Sequence, residues 1–449
     1  MQITDNGLIA PPSGRHGGYV LVLLMLGYVL SFFDRQILVM MIEPIGRDLH
    51  LTDTHFGLLY GFAFALFYTV VGLFFGRLVD SMHRPRLLAG AIILWSLATA
   101  ACGLATNFTE LFIARMMVGV GEAALAPVAY SLIADLFQPQ RRARAFSIYA
   151  MGIYLGTGVA FILGGKLVGW LDALPPMSLP WNGEPLAGWH LAFLIAGVPG
   201  MFLALALMFV REARPARTAA TSVRGATFGA FVEHARRHWI ALTCHHFGFA
   251  MHTGYGYAIA IWTPAFFLRH HGWSIGQVGL VLGVILLTAG PLGAIAGGTL
   301  TDSWLKRGVK DAYLRVGALV CVAQLGAVAL MVLSPSPIVG VIGAALAIVT
   351  MAATAGPAGA ALQQLTPGTL RGQAGAFYTL VANLLGLSLV PLLVGLATDR
   401  VFADPGMVGL SLLTVGAVVL LLGAGLLWLG KDRFILRADG DADSSERAA

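Results

Sequence analysis

Long, nearly uninterrupted apolar segments recur twelve times along this chain, and no other feature restricts its fold so severely. A helix needs about 20 apolar residues to cross the roughly 30 Å hydrocarbon layer of a bilayer, and inside that layer every backbone N–H and C=O must find its partner within the protein. The segments fall at 18–42, 55–79, 86–105, 110–136, 143–171, 188–210, 238–268, 274–302, 312–333, 337–364, 371–398 and 406–430. The Gly- and Pro-rich segment 337–364 is long enough to span rather than re-enter. Only 11% of the 449 residues are charged, against roughly 25% in an average soluble domain. The expected class is an all-α membrane protein with twelve transmembrane helices.

Positive charge orients the helices, because Lys and Arg concentrate in short cytoplasmic loops. With the N-terminus inside, that side collects Arg15, Arg77, Arg84, Arg86, Arg141, Arg142, Arg144, the arginines between 211 and 237, the basic residues from Lys306 to Arg315, Arg371, and those from Lys431 onward. The opposite loops hold Arg47, Arg269 and Arg400, with Lys166 near an outer helix end. Both termini are therefore expected in the cytoplasm, and short loops without an appended sorting domain favour a bacterial inner membrane. The net charge of +6 reads as topology signalling and contact with anionic lipids, with no nucleic-acid partner. The N-terminal stretch has no small-residue cleavage site and reads as a cytosolic tail, not a removed leader. Cys102, Cys244 and Cys321 lie in predicted spans and argue neither for a disulfide framework nor for a zinc site.

The basic segment 211–237 divides the spans six and six, and its later part has the pattern of an amphipathic surface helix. The expected division is a cytoplasmic tail 1–17, a six-helix bundle 18–210, a cytoplasmic linker 211–237, a second six-helix bundle 238–430 and a cytoplasmic tail 431–449. Internal repetition supports the split. "GRLVDSMHRPR" (76–86) follows helix two and "GGTLTDSWLKR" (297–307) follows helix eight; "RRARAFSIY" opens helix five and "RGQAGAFYT" helix eleven. Repeated halves around a central site are the usual construction of secondary transporters. Gly76 permits close helix packing, and Asp80, with Asp302 in the second repeat, can receive Arg84 or Arg144 at the inner rim. Such a cluster would act as an inner gate or simply as a topology signal.

The pattern resembles the major facilitator superfamily, whose loop between helices two and three carries Gly-x-x-x-Asp-Arg/Lys-x-Gly-Arg/Lys-Arg/Lys. Here that signature is degraded, with Ser81 where a basic residue is usual and Pro85 interrupting its end. "ARMMVGVGEA" is similar to the superfamily's helix-four motif through Arg115, Gly119 and Gly121. Glu122 directly after it, with "SFFDRQ" in helix one and "SLIADLF" closing helix four, resembles the spinster branch, which is associated with lysolipids and sphingosine phosphates. The resemblance implies the major facilitator fold of two six-helix bundles, a lipid-like amphiphile as substrate, and proton coupling through Asp34 and Glu122. It implies a transporter that is not an enzyme, needs no cofactor and works as a monomer among membrane lipids.

The charges inside the spans have a physical reading of their own. Each costs at least about 2.5–3.5 kcal/mol at the bilayer centre on insertion scales, so such residues face a partner or a cavity. Arg115 and Glu122 are seven positions apart, nearly on one helix face and about 10 Å apart along the axis. Counting about 1.5 Å per residue, Asp34 lies about 12 Å from the outer helix end, between the depths of Arg115 and Glu122, so the three can meet. Burial raises a carboxyl pKa and a nearby Arg lowers it, and a site whose balance changes between states can couple to protons. A permanent ion-pair network tying helices one and four is the alternative. Arg115 is the first choice for gripping a substrate anion through its bidentate fork, with Arg35 as a second.

Helices seven, eight, ten and eleven carry no Asp, Glu, Lys or Arg before their ends. Tyr255, Phe377 and Asn383 are candidate lining residues of an apolar pocket there, or else packing residues. "CHHFGFAMH" (244–252) lacks the i, i+4 pair with which two histidines bind one metal from a helix face, so no metal is expected. No Walker-type phosphate loop is present, and ATP-driven pumping has no support. The expected function is proton-coupled transport of a lysophospholipid-like or sphingosine-phosphate-like amphiphile. A small-organic-anion symporter is the runner-up, because "DRQ" also resembles the anion:cation symporter branch, followed by an uncoupled scramblase and a membrane enzyme.

Overall fold

The computed structural model describes residues 14–171, 173–174, 177–178, 185–212 and 227–446. Among the described residues eleven helices are long and apolar enough to cross a membrane: α1 (His16–Met40), α2 (Asp53–Gly76), α3 (Arg84–Cys102), α4 (Phe108–Leu136), α5 (Arg144–Leu171), α6 (Gly188–Met208), α8 (Ile275–Lys306), α9 (Ala312–Leu333), α10 (Pro337–Leu365), α11 (Gly368–Phe402) and α12 (Pro405–Phe434). The twelfth is α7 (Trp239–His271), a 33-residue helix made less apolar by its histidines and tyrosines. The helix carrying α12 continues to Glu446, through most of the expected tail. Among the described residues the strand content is one two-residue antiparallel pair, Met177–Ser178 with Pro185–Leu186, in the loop after α5. The later part of the linker forms the helix Phe228–Arg237, whose N-cap Thr227 accepts the N–H of Ala230.

The chain clusters into two compact units that differ from the expected 18–210 and 238–430 by an exchange of helix ends. The first unit takes 1–51, 62–221 and 274–283, and the second takes 52–61, 222–273 and 284–449. Glycines account for the exchange, because a bare Cα lets backbones approach. In the second unit a Cβ on Gly61 at the start of α2 would collide with the main chain of Ser388 in α11; in the first, a Cβ on Gly279 in α8 would collide with that of Phe161 in α5.

Charge fixes the first turns of α2 within the second unit. Buried Asp53 receives Nη1 of Arg269 at 2.6 Å and Nη2 at 2.8 Å, a bidentate pair. The Asp399 carboxylate of α11 accepts the N–H groups of Asp53 at 3.3 Å and Thr54 at 2.7 Å, so it caps orphan donors of α2. Removing one partner of a buried pair costs about 3–5 kcal/mol. Arg269→Ala should therefore lower the apparent melting temperature of the purified protein by several degrees. Asp53→Asn instead leaves the Arg269 cation without its anion and should cost less, because that side chain is 14% exposed against 4% for Asp53. Equal melting curves for Arg269→Ala and the unaltered protein would show that Arg269 does not hold this end.

Candidate functional site

The buried charges of the first unit converge from three helices. Ser31, Asp34 and Arg35 come from α1, Thr99 from α3, and Arg115 and Glu122 from α4; all are buried, Glu122 completely at 0% exposure. Close backbone packing of α4 permits this. A Cβ on Gly119 would strike the main chain of Phe64 in α2, and one on Gly121 that of Trp95 in α3. Gly121→Leu is accordingly expected to prevent recovery of folded, monodisperse protein in size-exclusion chromatography, whereas a normal profile would show that α3 can retreat.

After Glu122 the hydrogen bonding of α4 tightens locally: the Ala124 N–H donates to the Gly121 oxygen three residues back at 3.4 Å, and Pro127, which has no N–H, follows just beyond. Glu122 thus sits beside an irregular turn of its helix. Helix α2 contributes a π-helical stretch, Leu58–Leu66, a rare widening that is frequent at functional sites.

Arg35 delivers Nε and Nη2 to a single oxygen of Glu122, each at 2.7 Å, and the Ser31 hydroxyl donates to that same Oε2 at 2.6 Å. The other oxygen, Oε1, is buried without a hydrogen-bond partner. Three rings surround the Arg35 guanidinium: Phe32 at 4.9 Å, Phe64 at 4.4 Å and Tyr68 at 4.9 Å. A cation over aromatic faces gains from their quadrupoles, more so where water is excluded. Arg115 donates Nη1 to the main-chain oxygen of Asp34 at 3.3 Å, and its Nε has no partner. Asp34 accepts the Thr99 hydroxyl at 3.3 Å through Oδ2, and its Oδ1 is unpartnered. The four charges therefore form one strong ion pair and two under-satisfied groups. Buried polar atoms left unpaired cost about 1–3 kcal/mol each, an expense more usual at functional sites than in permanent struts.

Arg115 and Glu122, expected together on one face of α4, are both present, but the cation paired with Glu122 is Arg35. Ser31 and Arg35 are four apart on one face of α1, and that spacing is the signal that could have placed them together. Tyr255 faces packing: it is fully buried and its hydroxyl donates to the main-chain oxygen of Leu412 in α12 at 2.8 Å, which leaves it no hydroxyl proton for a ligand. Phe377, 46% exposed, lies against Phe231 of the linker helix and His246, at the end of α11 nearest its start. Asn383 sits in a π-helical stretch of α11, Ala382–Leu389, and its main-chain oxygen accepts the Ser388 hydroxyl at 3.4 Å.

Of the expected inner-rim residues, Arg84 has partners outside the loop motif. Arg84 is buried and binds Asp135 of α4 at 2.5 Å, Ser131 at 2.8 Å, and Glu212. It is therefore engaged by α4 and the segment after α6, groups that the loop motif does not contain. Gly76, Arg144 and Asp302 are exposed, and the side chain of Asp80 lies outside the described residues. Of the α7 histidines, His245 contacts the Ala358 oxygen at 2.8 Å and His252 Nδ1 the Thr354 hydroxyl at 2.9 Å. Among the described residues no three His, Cys, Asp or Glu side chains converge as a metal ion would require.

Residues 24–391 match the Major Facilitator Superfamily. The chain belongs to that superfamily. It is an integral, multi-pass membrane transporter and not an enzyme. A protein from Mycolicibacterium smegmatis described as an MFS-type efflux pump is 29% identical over 427 residues, covering 94% of this chain and 95% of that protein. Protein spinster homolog 1 of Rattus norvegicus is 30% identical over 269 residues, covering 57% of this chain and 47% of its own length, so the match spans about half of that relative. The solved structure of a bacterial homologue of the human lysosomal transporter spinster, inward-facing and unoccupied, aligns with a TM-score of 0.76 at 24% identity over 95% of this chain and 98% of that one. At that identity the likeness speaks for the fold. The resemblance to the spinster branch seen in the motifs is thus matched by relatives of that name.

Proposed function

We propose that this transporter moves an anionic amphiphile together with protons, with the Arg35–Glu122 pair as the exchange centre. The observation that carries the reading is the convergence of Arg35 Nε, Arg35 Nη2 and Ser31 Oγ on one carboxylate oxygen. Those donors are what a phosphate or carboxylate would need. While Glu122 is ionised it occupies them; once it takes a proton its hold weakens and Arg35 becomes available to a substrate anion. Proton and anion are then loaded by one exchange, and alternating access of the two repeats carries both. Asp34, whose Oδ1 is unpartnered, serves as a second proton carrier, and Arg115 positions it through its main chain.

A lysophospholipid-like or sphingosine-phosphate-like substrate is supported by the spinster-branch motifs and by the sequences of α7, α8, α10 and α11, which are free of charge before their ends. The distribution of basic residues supports a bacterial inner membrane with both termini in the cytoplasm. Small organic anions are the second reading, favoured by the compact, buried Arg35–Glu122 centre. By linkage, a proton and an anion that favour each other's binding do so reciprocally. Affinity for a single-chain phosphate ester should thus rise as pH falls through the titration of Glu122. A pH-independent affinity that persists alongside transport would leave an uncoupled carrier or scramblase.

A further inference from the structure

We infer that the Tyr149 hydroxyl is a substrate-binding donor of this transporter, supplying a hydrogen bond to the anionic head that Arg35 holds. Tyr149, on α5, is 1% exposed, and its Oη is buried with no hydrogen-bond partner. Its ring is clamped: it stacks on Tyr28 with centroids 4.4 Å apart and planes 4° from parallel, and Tyr130 meets it edge-on at 6.0 Å. Tyr28 meets Phe32 edge-on at 5.2 Å, and Phe32 lies under the Arg35 guanidinium.

Phenylalanine would pack between the same rings without stranding a polar atom, so for packing alone the hydroxyl is a cost. Its use has to come from outside the chain. The ligand chemistry follows from the ring relay Tyr149–Tyr28–Phe32, which ends under the Arg35 guanidinium: a group drawn to that cation is an oxyanion, and a rigidly held phenol can donate to a second oxygen of it. Tyr130, whose ring meets that of Tyr149 edge-on, is 53% exposed. A phosphate monoester, with several equivalent oxygens, can accept from Arg35 and Tyr149 together.

This inference rests on the proposed exchange at Arg35, and Tyr149→Phe separates the two. The probe is dodecyl phosphate below its micellar concentration, titrated calorimetrically into purified protein at several pH values, with melting curves recorded without ligand. The expected result is a loss of affinity of about tenfold or more in Tyr149→Phe, as for a lost hydrogen bond to a charged group. The pH dependence of binding should be unchanged, and ligand-free melting should be unchanged or higher. Equal affinities with the pH dependence intact would overturn the role of Tyr149 and leave the exchange standing. A weaker variant in a protein whose binding ignores pH would uphold Tyr149 and overturn the exchange. A lowered ligand-free melting temperature would mark a structural water as the hydroxyl's partner and overturn the inference, and failure of the unaltered protein to bind the probe would overturn both.

Discussion

Glu122→Gln is expected to yield folded, membrane-inserted protein that no longer accumulates substrate when a pH gradient is imposed across reconstituted liposomes. Gln nearly keeps the shape of the side chain, and its carbonyl oxygen can still accept from Ser31 and Arg35, but it cannot carry the proton. Asp34→Asn should lose gradient-driven accumulation for the same reason. Arg35→Ala differs in kind: it strands the fully buried Glu122 carboxylate with Ser31 as its remaining donor. That variant should lose both substrate binding and about 3–5 kcal/mol of stability, the usual consequence of breaking a buried pair. Arg35→Lys keeps the charge without the planar fork and should recover stability better than binding. Full gradient dependence in both carboxyl variants would remove protons from the mechanism.

The second large effect concerns the tail of the substrate. If hydrocarbon is buried along the charge-free helices, affinity should increase by up to about 0.8 kcal/mol, or about fourfold, for each added methylene until the pocket is full. Binding of alkyl phosphates of increasing length, measured below their micellar concentrations, reads this directly. Phe377→Asn, at a half-exposed ring beside the linker helix, should weaken the longest chains more than the shortest. Indifference to chain length in the unaltered protein would replace the amphiphile with a small organic anion while leaving the exchange at Arg35 in place.

Helix number and boundaries were legible in the sequence because the bilayer imposes length and apolarity directly. The segment 312–333 matches α9 residue for residue, and most other ends differ by a few positions. The members of the charged site were legible for the same reason, since each intramembrane Asp, Glu or Arg stands out by its cost. Their pairing was not. Seven-residue spacing put Arg115 and Glu122 on one face of α4, but which cation reaches Glu122 depends on the rotation of α1 against α4. Gly119 and Gly121 stood out as a motif, but the backbones they meet, at Phe64 of α2 and Trp95 of α3, did not. The aromatic surroundings of Arg35 were hidden likewise, because Phe64 and Tyr68 belong to α2 and look like ordinary apolar positions. The exchange of helix ends between units also escaped, since the repeats divide at the linker while the contacts of α2 and α8 follow individual glycines.

The central claim is that a proton on Glu122 and an anion on Arg35 arrive together. Proton uptake on ligand binding tests it most directly, followed with a pH-indicator dye as dodecyl phosphate is added to purified protein in weakly buffered solution near neutral pH. After correction for the ligand's own titration, binding should draw protons from solution in the unaltered protein, and Glu122→Gln should bind with that uptake abolished or sharply reduced. Binding of the anion with no proton taken up by the unaltered protein, or with undiminished uptake in Glu122→Gln, would contradict the account.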